Sequence, residues 1–311
     1  MKIGMIDVDG HHFPNLALMR ISAYHKAKGD LVEWWWTDLI HYDIVYKSKI
    51  FSDAYSKDVP DPMNADLIIK GGTGYQIHLA DGKEVYDKET DHQLPDEIES
   101  MSPDYSIYPQ YKYALSLTSR GCPRGCPFCH VAAKEGRCSK KVSEPGEFYR
   151  GQKEIKILDP NITACPDCIP LLEQYRKIGA WCDFTQGIDA RLLNREKVEA
   201  LNACKIKRLH FAWDDMKQSD SVINGLDLYR RYGKLKRKEN LIVYVLTNFD
   251  TTHEEDLFRV YELRKMGFDP DVRIYNKPSA PRETRLLQRW VNNRIIFNSC
   301  ERFEDYDQTK G

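Results

Sequence analysis

The chain has 311 residues, 41% hydrophobic and 30% charged, with a formal net charge of −1. That is ordinary globular composition with room for more than one domain. It excludes a strongly basic field drawing the whole molecule onto nucleic acid. No apolar run approaches the roughly 18 residues of a membrane helix.

The chain starts MKIGMIDVDG, strand-like and without a signal-peptide layout. A cytoplasmic location is therefore expected, where thiols stay reduced. "KIGMIDV" reads as a strand, and "NLALMRISAYHKAKG" has helical spacing and stops at Gly29. "DLVEWWW" and "YDIVYKSKIF" read as further strands, and "ADLIIKGGTG" as a strand ending in a glycine turn. This alternation predicts a small, Rossmann-like, doubly wound α/β domain over 1–84. Residues 85–112, rich in Asp, Glu, Pro, Ser and Tyr, are expected to form a linker or irregular flap.

From residue 113 the pattern becomes regular. Strands are predicted at 113–119, 154–160, 181–187, 206–214, 241–249 and 271–277, with helices near 166–179, 194–204, 219–232, 253–267 and 282–296. Six strand-plus-helix units in series predict a parallel sheet curled into a partial (β/α)6 TIM-type barrel over 113–300, with a tail at 301–311. In such barrels reacting groups sit where strands end and loops begin. The basic stretches Lys134–Lys141 and "KLKRKEN" (234–240) are expected to be solvated faces.

Nine cysteines, an odd number, argue against a complete disulfide framework. Residues 1–121 have none, and six fall between Cys122 and Cys168. The loop after the first barrel strand reads "SRGCPRGCPFCHV", a C-x-x-x-C-x-x-C run formed by Cys122, Cys126 and Cys129. Gly121 and Gly125 permit backbone turns, while Pro123 and Pro127 limit the loop's freedom. Three thiolates on a four-iron cluster leave one iron open to a small molecule. The alternative is structural zinc with His130 as fourth ligand. Adjacent Cys129 and His130 grip one tetrahedral ion poorly, because zinc sites favour separated pairs.

In these features the sequence resembles the radical S-adenosylmethionine superfamily. The matching residues are the three-cysteine loop, the aromatic Phe128 before its last cysteine, and the six units across about 113–297. The resemblance implies that Cys122, Cys126 and Cys129 hold a 4Fe–4S cluster whose fourth iron is chelated by the methionyl group of S-adenosylmethionine. It further implies reductive cleavage to a 5′-deoxyadenosyl radical that abstracts a substrate hydrogen. A one-electron donor such as flavodoxin or ferredoxin would be the partner. Phe128 would lie against the adenine. Asp159 and Asn161 in "LDPNIT" stand where the superfamily holds the methionyl amine, although the usual Gly-Gly-Glu is absent. Gln186, Asp189 and Arg191 end the third strand, and Arg191 suits a carboxylate. Asp214 and Asn248 are candidates for the ribose hydroxyls. Each of these polar residues competes with a reading as a loop or helix cap, as expected for Thr163 and Thr252. No separate catalytic side chain is assigned.

Cys165 and Cys168 open the next helix as C-P-D-C, which allows a redox pair or half of a metal site, with Cys138 or Cys182 as further ligands. Cys204 and Cys300 read as core or incidental residues. With no cysteine in the amino-terminal domain and only Cys300 beyond the barrel helices, methylthiotransferase-like and cysteine-extended peptide-modifying branches do not fit. "DGHHFP" resembles the D-x-H-x-x-G of cobalamin-binding domains, with Asp9 and His11 in place, but Pro14 replaces the glycine. Cobalamin is therefore not favoured, and Asp9 and His11 are expected to cap a helix instead. "EWWW" is expected to pack in a strand or interface rather than stack bases. A cobalamin-dependent methyltransferase and a non-enzymatic, zinc-stapled metal- or nucleic-acid-binding protein are the alternatives. Small molecule, peptide and nucleic acid stay open as substrates.

Overall fold

The computed structural model describes residues 1–80, 83–91 and 93–309. Residues 81, 82, 92, 310 and 311, which belong to the expected first domain, linker and tail, lie outside the described residues. The protein is mixed α/β and divides into two compact units, Met1–Leu115 and Ser116–Gly311.

In the first unit β1 (Lys2–Asp7), α1 (Leu16–Ala27), β2 (Leu31–Trp34), β3 (Tyr42–Ser48) and β4 (Ala65–Gly71) build a parallel sheet ordered β2-β1-β3-β4. A hairpin of β5 (Ile77–Ala80) and β6 (Lys83–Tyr86) and the one-turn α2 (Asp96–Glu99) follow. Helix α1 covers the Tyr46 face, where His25 Nε2 meets the Tyr46 hydroxyl at 3.0 Å. A doubly wound sheet would place a second helix on the other face. Here the connection 49–64 has none, and Pro60 and Pro62 oppose one. That face instead buries Lys47, whose ammonium meets Asp58 at 2.9 Å, Asp61 at 2.8 Å and the Val59 carbonyl. The described residues of 85–112 fold back within this unit as a buttress. The Trp34 indole donates to the Ile107 carbonyl at 3.1 Å, and the Tyr108 hydroxyl donates to buried Asp7 at 2.7 Å.

At the boundary β7 (Ala114–Ser116) leads into the second unit. There follow β8 (Ser119–Arg120), α3 (Val131–Glu135), β9 (Lys140–Lys141), α4 (Pro145–Phe148), β10 (Glu154–Ile157) and α5 (Cys168–Ile178). Next come β11 (Trp181–Phe184), α6 (Arg195–Ala203), β12 (Lys205–Ile206), β13 (Leu209–Ala212) and α7 (Ser219–Tyr232). The series closes with β14 (Leu241–Thr247), α8 (His253–Met266), β15 (Asp269–Ile274), α9 (Arg282–Asn292) and α10 (Arg294–Ser299). The strands form two larger sheets, β12-β11-β10-β7 and β13-β14-β15, with parallel pairing through β10-β11-β12 and β13-β14-β15, and a small antiparallel pair, β8-β9. A parallel bridge between Ile188 and Phe211 joins them, with the Ile188 N–H donating to the His210 carbonyl at 2.7 Å. Each expected strand ends earlier than its sequence pattern, because its last polar residues leave the ladder for a loop. The expected helix at 282–296 is broken by Asn293, whose side chain accepts from the Ile295 and Ile296 amides and starts α10. Thr252 caps α8 as expected, in a box with Glu255.

Helix α7 lies so close to the turn Ala190–Leu192 that a Cβ on Gly225 would stand 1.9 Å from the Ala190 carbonyl oxygen. Backbone atoms yield little, so Gly225→Ala is expected to cost about 1–3 kcal/mol in urea unfolding. An unchanged unfolding midpoint would show that the turn yields freely.

Candidate functional site

In parallel sheets the carboxyl ends of the strands share one edge, where loops present side chains. The loops after β8, β10, β11, β13 and β14 carry every site residue expected from the sequence.

Cys122, Cys126 and Cys129 are free thiols on the loop between β8 and α3. The loop is pinned at its root. Gly121 has φ +86°, and a Cβ there would stand 2.2 Å from the Cys138 carbonyl oxygen. The Gly121 amide donates to Glu135 at 3.0 Å, and the Cys122 amide donates to the Gly136 carbonyl at 3.1 Å. Burial pushes the Cys126 and Cys129 thiols up, and charge on the neighbouring thiols pushes the same way. Arg191 works against this at Cys126. Charges on the three thiols are thus felt by one another, and the Arg191 guanidinium is felt at Cys126. Among the described residues, the group of three candidate ligands whose atoms all lie within 4.8 Å of one another is His41, Asp43 and Asp66, not these cysteines. A single tetrahedral ion with bonds of about 2.3 Å needs its sulfurs closer than that.

Asp189 binds the cysteine loop to its surroundings. Its carboxylate accepts from Arg124 Nε at 2.9 Å, Asn161 Nδ2 at 3.2 Å, and Arg191 through Nε at 2.7 Å and Nη2 at 3.0 Å. Burial opposes its charge, yet Arg191 and Arg124 prevail and hold the carboxyl below its ordinary range. Asn161 Nδ2 also lies 3.5 Å from Cys122 Sγ, while its Oδ1 accepts from the Thr163 hydroxyl and the Ala164 amide. Asn161 therefore caps the turn that Thr163 was expected to cap.

The other expected residues divide. Asp214 faces Arg191, Asp189, Cys126 and Cys129, and burial raises its carboxyl to about 6 against the pull of Arg259. Phe128 meets Phe249 at 5.5 Å between ring centroids, and Phe249 in turn meets Tyr275 at 4.9 Å, so an aromatic wall borders the loop. Asp159 turns away. It is 2% exposed and accepts from the Thr118 amide and hydroxyl at 2.9 and 2.8 Å and from the Ser119 hydroxyl at 2.6 Å. It is a positioning residue that fixes the strand end from which the cysteine loop departs. Asn248 has φ +63° and spends its side-chain amide on the Tyr275 carbonyl at 2.8 Å, tying the ends of β14 and β15. Gln186 is exposed on the turn after β11.

Sequence reasoning passed over Arg124, Phe249, Tyr275 and Arg259. The signal for Arg124 was present, since a cation between two expected metal ligands needs an anionic partner. Arg259 is fully buried, pairs with Asp256, and donates to the Trp213 and Leu246 carbonyls at 2.8 and 2.9 Å, fixing the strand ends beside Asp214.

The remaining thiols are packed. Burial raises Cys165, and raises Cys168 to about 12, the opposite of activation at a helix start. Cys182 and Cys204 are buried and donate to the Ala180 and Leu172 carbonyls at 3.7 and 3.3 Å, Cys138 is exposed, and the Cys300 thiol donates to the Arg302 carbonyl at 3.0 Å. In the first unit Asp9 accepts from the Ile50 amide at 2.6 Å rather than capping a helix. Asn15 caps α1, and the His11 ring packs on Trp34 at 4.2 Å.

No family model and no curated protein matches the sequence. Among solved structures the chain is similar to the radical S-adenosylmethionine methyltransferase TsrM from Kitasatospora setae, determined with cobalamin and a 4Fe–4S cluster bound. The similarity has a TM-score of 0.61 at 10% identity and covers 88% of this chain and 74% of that one. The likeness is one of fold. Among the described residues no helix is long and apolar enough to cross a membrane.

The raised Asp214 carboxyl yields a pH prediction for the apoprotein. The folded state holds this proton more tightly than the unfolded chain, whose carboxyl titrates near 4. Its contribution is therefore full below about pH 4 and is lost as pH rises through about 6. Asp214→Asn should remove this decline, on the order of 2–3 kcal/mol, in urea unfolding followed across that window. An identical pH profile in the variant would refute the assignment.

Proposed function

We propose that the protein is a radical S-adenosylmethionine enzyme whose second unit is the partial (β/α)6 barrel and whose first is a degenerate Rossmann-like domain. The observation that carries this reading is the gathering of Cys122, Cys126 and Cys129 at the strand ends, beside Arg191, Asp189 and Asn161. The fold shared with TsrM supports it.

The residues present fit a 4Fe–4S cluster. Three thiols share one loop, and the Asn161 amide beside Cys122 and the Arg191 guanidinium near Cys126 stand ready to temper thiolate charge. Cys122, Cys126 and Cys129 would be its ligands. A cluster held there would supply the electron for reductive cleavage of S-adenosylmethionine, the chemistry that would generate a 5′-deoxyadenosyl radical for hydrogen abstraction from a substrate.

This chain's own residues hold and shield. Arg191 and Asp214 supply opposite charges for the methionyl carboxylate and for amine or hydroxyl groups, and Asn161 adds an amide. Phe128, Phe249 and Tyr275 offer an apolar wall for the adenine. Asp159, Asn248 and Gln186, expected to contact the cofactor, enter as supports or rim residues. The electron would come from a donor such as flavodoxin or ferredoxin, and the enzyme would work in the cytoplasm on a substrate still to be identified.

A cobalamin-dependent methyl transfer is the second reading, supported by the cobalamin of the structural neighbour. It is not favoured, because Asp9 is committed to backbone and Pro14 stands at the glycine position.

Anaerobic reconstitution with iron and sulfide tests the reading. We expect about four irons per chain, a reduced spin-resonance signal that changes on adding S-adenosylmethionine, and release of 5′-deoxyadenosine. Cys126→Ala should lose the signal, whereas Arg191→Ala should keep the cluster and lose most of the response to S-adenosylmethionine. Stoichiometric zinc without iron would overturn the proposal in favour of a stapled loop, and a bound corrinoid would favour the second reading.

A further inference from the structure

The first unit ends its sheet on a strand that is complementary to itself. β4 pairs with β3 on one side and forms the edge on the other. The Tyr42 amide donates to the Asn64 carbonyl at 3.1 Å, with Tyr42 opposite Ala65. At the exit of β3 the Lys49 amide donates to the Gly71 carbonyl at 3.0 Å, with Ser48 opposite Gly71. Along the rest of this parallel ladder the backbone groups of Leu67, Ile69 and Gly71 therefore turn toward β3 and those of Ile68 and Lys70 outward. Leu67 and Ile69 also share the Ile44–Tyr46 face of the sheet, at 50% and 38% exposure, beyond the reach of α1.

We propose that β4 is a self-association strand through which two copies of this chain pair edge to edge, antiparallel, about a two-fold axis at Ile68. In that register Ile68 lies opposite Ile68 of the partner subunit, and their outward N–H and C=O groups bond reciprocally. Leu67 lies opposite Ile69 of the partner subunit at a non-hydrogen-bonded position, where side chains approach most closely. Asp66 lies opposite Lys70 of the partner subunit, on the same face as Ile68 and within reach of a cross-strand ion pair. On one face four apolar side chains become contiguous. On the other, two opposite-charge pairs flank the Ile68 contact. Charges on a sheet edge ordinarily oppose such pairing. Here the two are opposite in sign and equally spaced from the axis, so the one register that matches the apolar residues also matches the charges. Their present partners, His41 for Asp66 and Asp61 for Lys70, are exposed surface contacts that hold them weakly. A two-fold pairing of this kind makes one isologous interface and closes on itself.

Light scattering and sedimentation of the full chain over a concentration series test this directly. The wild type should form a concentration-dependent dimer. Ile68→Pro removes an outward donor and leaves the β3–β4 bonds intact, as an edge strand tolerates, so it should be a folded monomer. D66K and K70D, each placing like charges opposite one another, should dimerise on the order of tenfold more weakly. An equimolar mixture of D66K and K70D restores both opposite-charge pairs and should yield the heterodimer at wild-type strength. This rescue keeps the test decisive even if Ile68→Pro misfolds. A wild type monomeric throughout the series, or a dimer indifferent to both charge variants, would overturn the proposal. Neither outcome bears on the cluster chemistry, which is read separately by iron content and spin resonance.

Discussion

The candidate site depends on one buried anion. The Asp189 side chain is 6% exposed, and a carboxylate so enclosed persists only if its charge is met. Arg124 from the cysteine loop, Asn161 from the turn after β10 and Arg191 from its own turn meet it together. One carboxylate thereby ties three separate loops, and Asn161 extends the connection to Cys122. Neutralising it would leave two guanidinium groups with no anion between them. The cysteine loop would lose its lateral anchor while keeping its glycine-lined root. Behind this centre, Asp159 and Arg259 do similar work one layer deeper, each bonding to groups at the ends of strands rather than to the site itself.

Much of this was legible in the sequence where periodicity or spacing carries information. The six strand-and-helix units of the second half appear in order, because buried parallel strands are continuous apolar runs and the helices between them are amphipathic. The cysteine spacing marked the centre. What sequence could not distinguish is which way a polar side chain at a strand end points. Asp159 and Asn161 are two residues apart in "LDPNIT", yet one closes inward on Thr118 and Ser119 and the other reaches Cys122. Asn248 was read as a ribose ligand, but its left-handed backbone commits the amide to the Tyr275 carbonyl. Such choices are set by tertiary hydrogen-bond partners far away in the chain, and no local pattern encodes them. Arg124 was overlooked because its partner lies 65 residues on.

The same limit explains the thiols. A C-x-x-C at a helix start has the spacing of an activated pair, but burial dominates, and Cys168 is driven up rather than down. Cys122, Cys126 and Cys129 differ in having partly open surroundings and a guanidinium within reach. Chemistry here follows environment more than motif.

In the first unit the sheet face opposite α1 is covered by a tether rather than by a helix. Buried Lys47 grips Asp58 and Asp61, and Lys49 grips Asp53, so the 49–64 segment is fastened at a few charged points instead of along an apolar stripe. A segment held in this way is free to change. Residues could be inserted or exchanged between the anchoring aspartates at little cost, since loop-closure entropy grows only slowly with length. Across divergent relatives this stretch should drift in length and composition while the two lysines of β3 and its exit persist. The fold would then outlast any pattern a sequence comparison detects there.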